Sequence, residues 1–252
     1  MRLIRSLLTG GSAALLSAGL AFGGTTVASA SGAGGAVNSS NWSGYVGGPP
    51  DAEWTMASAN WVQPAITCPN KTSEEVTFWV GIDGYSSSTV EHGGTLAKCT
   101  AGKASYSTWW QMYPGAIQIV GSTVHPGDKI SASVTRTGTK YTLKVTDATT
   151  GGNSFTKTET CSTCKDDTVE WIAGATSPEN DPSEGTDTAL PDFGKWTVTS
   201  AALSDPGGSG HTLNNMDQFA LTMVGSKGDK KATPSKINSE GTSFSVTWKA
   251  ST

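Results

Sequence analysis

Charge is scarce in this chain. Asp, Glu, Lys and Arg together make up 15% of its 252 residues, and the bases are the minority, 17 against 21 acids. That balance argues against nucleic acid or an anionic membrane as partner, since both reward a basic face. No segment carries an apolar stripe at helical spacing over three or more turns, which excludes a helical bundle. No period of 20 to 50 residues recurs, which excludes propellers and solenoids. Cysteine is limited to four residues, Cys68, Cys99, Cys161 and Cys164. Zinc would need further ligands at matching spacing beside Cys161-Ser162-Thr163-Cys164, and none follow. A thioredoxin-like βαβ context for that motif is missing as well, so structural disulfides are expected. Four cysteines allow three pairings. Cys68–Cys99 and Cys161–Cys164 are favoured because each brackets one local excursion.

The one apolar run, Leu7 to Phe22, is short and broken by glycine and serine. It follows Arg2 and Arg5 and precedes Ala28-Ser29-Ala30, the small-x-small form of a signal-peptidase site. Residues 1–30 therefore read as a signal peptide, and residues 31–40 as a flexible lead-in. Residues 41–252 form one domain of a secreted, extracellular protein. Without Arg2 and Arg5, 15 bases face 21 acids and the net charge is near −6.

What the chain has in plenty is glycine (31 residues) together with serine and threonine, the composition of many short strands joined by turns. Strands are expected over 41–46, 58–66, 76–82, 105–114, 128–137, 141–146, 155–160, 168–173, 196–203, 218–224, 235–239 and 243–249. A long polar loop is expected over 177–192. The fold class is all-β, a two-sheet antiparallel sandwich. Thr89-Val90-Glu91-His92-Gly93-Gly94-Thr95 reads as a glycine-flanked rim that sets an acid beside an imidazole. On the strand at 105–114, alternation places Ser107, Trp109, Gln111 and Tyr113 on one face, the mix of polar and aromatic groups expected to line a groove.

Five motifs stand in an order and spacing similar to those of the glutamic peptidases, the eqolisin family. They are Asn41-Trp42-Ser43-Gly44-Tyr45, Trp79-Val80-Gly81-Ile82-Asp83-Gly84, Thr89-Val90-Glu91 with Gly94-Thr95, Trp109 to Pro114, and Glu170-Trp171-Ile172. The resemblance implies a concanavalin-like sandwich with a concave peptide groove. It implies peptide-bond hydrolysis at acid pH without metal or cofactor. In that chemistry a glutamate takes the proton of the attacking water, and a glutamine amide donates to the oxyanion. The family's glutamine position falls on His92 and its glutamate position on Gly174, so both dyad residues are substituted. As imidazolium at acid pH, His92 can still donate a hydrogen bond; Gly174 offers no base.

Trp79, Asp83, Glu91, Trp109, Gln111, Tyr113 and Glu170 are the expected groove residues. The expectation is a monomer that has kept its groove for an extended peptide or unfolded protein, with weak or lost activity. The alternatives are an active peptidase using a displaced carboxylate and a glycan-binding sandwich.

Overall fold

The computed structural model describes residues 35–48, 53–69, 73–121, 123–149, 154–176 and 189–252. The expected leader, the start of the lead-in and residues 177–188 of the polar loop lie outside this set. Sixteen strands and one short 3₁₀ turn, Leu213–Asn215, make up the regular structure among the described residues.

The larger sheet runs through β16 (Phe244–Trp248), β15 (Lys230–Pro234), β14 (Gln218–Val224), β2 (Trp42–Gly47), β11 (Val169–Gly174), β4 (Glu74–Ile82), β5 (Val90–Thr100), β6 (Lys103–Tyr113) and β7 (Gln118–Gly121). The smaller sheet runs through β10 (Phe155–Thr160), β9 (Lys140–Asp147), β8 (Lys129–Thr137) and β3 (Met56–Val62). β12 (Lys195–Ser204) belongs to both. Its first half pairs with β16, its second half pairs with β3, and the two-residue β13 (Gly210–His211) closes on its end. The ladder shifts between Thr199 and Ala202, where Ser200 takes a positive φ of 51°. A bulge of this kind bends a strand and lets it change layers.

Pairing is antiparallel except for β1 (Ala36–Ser39), which lies parallel to β14. The expected lead-in is therefore structured over its last residues: Val37 and Ser39 stand opposite Leu221 and Met223. Both favoured disulfides, Cys68–Cys99 and Cys161–Cys164, are formed.

Strict alternation separates two apolar layers. Val76, Phe78, Val80 and Ile82 of β4 enter the core between the sheets, with Trp171, Trp196, Tyr141 and Leu143. Trp79 of β4, Ile172 of β11, Val46 of β2 and Trp109 of β6 form a second cluster on the other face of the large sheet. Trp42, Tyr85, Tyr113, Ile117 and Phe219 pack over it half-buried. A side-chain period of two on a strand buried on both faces gives this two-sided apolar pattern.

Gly94 marks the tightest crossing. A Cβ there would meet Phe78 O at 1.9 Å and Trp79 Cα at 2.8 Å, both backbone atoms. Gly94→Ala is expected to destabilise the fold by about 2–3 kcal/mol, the usual cost of overpacking where backbone must move. Chemical denaturation monitored by tryptophan fluorescence checks this; a change under about 0.5 kcal/mol would contradict it.

Candidate active site

The register of the large sheet sets the candidate residues in three cross-strand rows on its outer face. One row reads Val46, Glu170, Gly81, His92, Gln111 across β2, β11, β4, β5 and β6. The next reads Gly44, Ile172, Trp79, Gly94, Trp109, and the third Trp42, Gly174, Thr77, Leu96, Ser107. His92 is thus not on a rim. It sits within the eleven-residue strand β5, and Gly174 lies on β11, two strands away and two rows along.

His92 is 8% exposed and stands between two indoles, edge-on to Trp79 at 4.7 Å and to Trp109 at 4.9 Å between ring centroids. Its orientation is fixed by a relay. Gln111 Nε2 donates to Gly115 O at 2.7 Å, which turns the amide oxygen toward the imidazole. His92 Nε2 lies 2.8 Å from that oxygen and must therefore carry the hydrogen, leaving Nδ1 as the bare nitrogen. Nδ1 is buried with no protein partner. Burial depresses the His92 pKa to about 4, and the Gln111 bond opposes the shift. The charged donor expected from the sequence exists only below that pH. Above it His92 is a neutral, enclosed ring.

Gly174 leaves no vacant space for a side chain. A Cβ there would lie 2.8 Å from Thr77 Oγ1 and 3.0 Å from Trp79 Nε1. At the other end of the same indole, a Cβ on Gly81 would lie 2.9 Å from Trp79 Cζ3. The Trp79 ring therefore spans the floor from Gly174 to the row of His92, with Trp42 edge-on to it at 5.1 Å. Thr77 Oγ1 donates to Gly174 O at 3.1 Å, tying the strands together at the position where the sequence reading expects a base.

The remaining acids divide between the two faces. Glu170 shares the outer face with His92 but is fully buried, opposite it across Gly81. Burial raises its carboxyl well above the ordinary range, with Asp83 and Glu91 adding to the rise and Thr168 opposing it. Glu91 was expected in the groove and is not there. The period-two alternation that turns His92 outward turns Glu91 inward, where its Oε1 lies 2.9 Å from Cys164 Sγ. Burial, then the neighbouring Asp83 and Asp166, raise the Glu91 pKa to about 9.

Asp83 is also spent elsewhere. Its carboxylate accepts from Lys165 N at 2.8 Å, Asp167 N at 2.9 Å and Thr89 Oγ1 at 3.3 Å, clamping the loop before β11. Asp166 beside it accepts from the Tyr141 hydroxyl and pairs with Arg136 Nε at 2.9 Å. The sequence does not reveal this inter-sheet acid cluster, because its members lie on separate strands and loops. Trp109, Gln111 and Tyr113 do share the outer face, with Trp109 buried and Tyr113 half-buried.

An open cleft of about 880 Å³ lies elsewhere, lined by Trp54, Asp205, His211, Asn215 and Asp217 among others. It contains none of the candidate residues, and Asp205 is paired with His211 at 2.9 Å. No helix among the described residues is long and apolar enough to cross a membrane.

The site thus lies on the Trp-lined outer face of the large sheet of a two-sheet sandwich. The chain belongs to the Peptidase A4 family, which it matches over residues 40–248. Among solved structures it is similar to scytalido-glutamic peptidase in complex with a peptide-based transition-state analogue. That match has a TM-score of 0.70 at 20% identity and covers 83% of this chain and 98% of the other. It is also similar to SCP-B, an eqolisin peptidase in complex with the tripeptide Ala-Ile-His, with a TM-score of 0.68, 19% identity and coverage of 83% and 98%. Aspergilloglutamic peptidase from Aspergillus niger aligns with a TM-score of 0.56 and 26% identity over 70% of this chain and 99% of the other. Comparison with curated proteins finds no match.

Proposed function

We propose that this is a secreted, monomeric member of the Peptidase A4 family that binds extended peptide or unfolded protein on the outer face of its large sheet without hydrolysing it. The observation that carries this reading is Gly174, with Thr77 Oγ1 and Trp79 Nε1 within 3.0 Å of where a Cβ would stand. Losing a positioned general base lowers rate by about 10²–10⁴. His92 lies two strands and two rows from that position and is 8% exposed, so it does not replace it. Asp83 and Glu91 are engaged on the far side, and Glu170 is fully enclosed. The disulfides support export, since such bonds persist in oxidising compartments. Sugar stacking needs open indoles, and Trp79 and Trp109 are each 2% exposed.

The test uses the mature protein on a quenched peptide library at pH 3–5, with binding of the same peptides followed by calorimetry. Binding without turnover is expected. Cleavage that disappears in Glu170→Gln would establish the displaced-carboxylate reading instead. Absence of both binding and cleavage would remove the groove as the functional surface.

A further inference from the structure

The geometry points to the Cys161–Cys164 pair, with Glu91 behind it, as a thiol–disulfide exchange site that reacts with an external thiol. The two cysteines close a four-residue loop, Cys161-Ser162-Thr163-Cys164, whose middle residues are exposed and whose cysteines are half-buried. The two ends of the bond differ. Cys164 N–H donates to Cys161 Sγ at 3.0 Å, and Thr163 Oγ1 lies 3.8 Å from the same sulfur. Donors aimed at one sulfur favour that sulfur as the thiolate, the form that reacts.

Cys164 has the opposite environment. Its Sγ faces Glu91 Oε1 at 2.9 Å, and the carboxylate oxygen and both sulfurs lie within 4.8 Å of one another. A disulfide sulfur has no hydrogen, so the proton in that contact belongs to the carboxyl. Glu91 is fully buried among Asp83, Asp166 and the Tyr141–Asp166 pair, with Thr89 beside it and Arg136 beyond. Burial first, and then these acids, raise its proton affinity and keep it protonated at neutral pH. A carboxyl that holds a proton against a disulfide sulfur is placed to deliver it when that sulfur leaves.

An external thiolate attacks Cys161 Sγ, the Cys161–Cys164 bond breaks, and Cys164 leaves as thiolate and takes the Glu91 proton. A second external thiolate attacks the outer sulfur of the mixed disulfide, releasing Cys161 as a thiolate held by the Cys164 N–H. The protein disulfide is reduced to a dithiol and two external thiols are oxidised to one disulfide. In reverse, Glu91 carboxylate takes the Cys164 proton as Cys164 resolves a mixed disulfide on Cys161. The missing βαβ context says only that the scaffold differs; the chemistry needs the sulfur pair, the donors and the acid, and these are together.

The experiment exposes the full mature protein at pH 7 to reduced glutathione in one arm and to a cysteine-bearing peptide in the other. Samples are trapped with iodoacetamide and each bridge is followed by mass spectrometry. Opening of Cys161–Cys164 is expected about 100-fold faster than exchange of oxidised glutathione with the same thiol. Glu91→Gln should slow it about 100-fold, within the range of a lost general acid. Faster reaction in the peptide arm assigns a protein thiol as substrate; faster reaction with glutathione assigns a small one. Opening no faster than free glutathione, or an unchanged rate in Glu91→Gln, overturns the proposal. A second variant, Cys164→Ser, does not depend on Glu91 folding effects. With oxidised glutathione it should accumulate a mixed disulfide on Cys161, and failure to do so also overturns the proposal.

Discussion

Stability is expected to fall by at least about 3 kcal/mol between pH 6.5 and 9, and the thermal midpoint to drop by about 10 °C or more. The sign follows from two buried groups that oppose each other at acid pH. Glu91 holds its proton to about pH 9 in the folded protein against an ordinary value of 4.5. A carboxyl raised in the folded state contributes stability that is complete below its unfolded pKa and is lost as pH rises through the folded one. His92 is depressed to about 4 from 6.5, so the unfolded chain binds its proton first and folding weakens as pH falls from 6.5 toward 4. At about 1.4 kcal/mol for each tenfold change in proton affinity, the slopes of Glu91 and His92 cancel each other between pH 4.5 and 6.5, leaving only the loss from Glu170. Above 6.5 the loss from Glu91 is no longer opposed and adds to that from Glu170, whose carboxyl is also raised. Scanning calorimetry from pH 4 to 9 reads this directly. A midpoint that is flat or rises above pH 6.5 would show that these carboxyls are ionised in the folded protein. Glu91→Gln should flatten the alkaline limb.

Placing Glu at 174 and Gln at 92, the dyad positions that the sequence resemblance implies, is expected to confer cleavage at a cost in stability. Gly174→Glu combined with His92→Gln should hydrolyse the acid-pH library at least about 100-fold faster than the natural chain, the range associated with one positioned base. The new Cβ must displace Thr77 Oγ1 and the Trp79 indole, now 2.8 and 3.0 Å from its position. Thr77 and Trp79 both present donors there, so the carboxylate gains partners once they yield. Strain of this kind costs about 1–3 kcal/mol, and desolvating the charge adds to it. Gly174→Glu alone should show the stability loss without full rate, because His92 stays neutral above about pH 4. A double variant that folds but remains silent would mean that the Trp42–Trp79 floor blocks the substrate path as well.

Much of the fold could be read from alternation. Ten of the expected strands, beginning with 41–46, lie on observed ones with shifts of a residue or two at the ends, because period-two burial is a local signal. The strand that holds the site escaped that signal. Val90–Thr100 is one continuous element, yet Gly93 and Gly94 in its middle resemble a turn by propensity. Their backbone contacts explain them: a Cβ at 94 would strike Phe78 O and one at 93 would approach Trp109 O at 3.2 Å. Such contacts arise from neighbours 15 residues away or more and leave no local trace. The stretch 235–239 alternates like a strand but follows β15, which ends at Pro234; Ser235 N still donates to Ser245 O, and the chain then turns with Asn238 Oδ1 accepting from Thr242 N and Ser243 N.

The site was legible as positions and not as surroundings. Strand parity puts Glu91 and His92 on opposite faces from the sequence alone, so placing both in one groove contradicted the pattern. What the sequence withholds is depth. The Trp79 ring closing over Gly174, and Asp83, Asp166 and Tyr141 gathering around Glu91, depend on side chains from several strands meeting in three dimensions.

The shared strand β12 has a mechanical consequence. Its Lys195–Val198 half is bonded into one sheet and its Thr199–Ser204 half into the other. The layers are thus sewn together by a continuous backbone, and prising them apart requires breaking ladder bonds as well as emptying the core. Heat or force applied to either layer therefore loads the other through one covalent thread, and the sandwich yields as a unit.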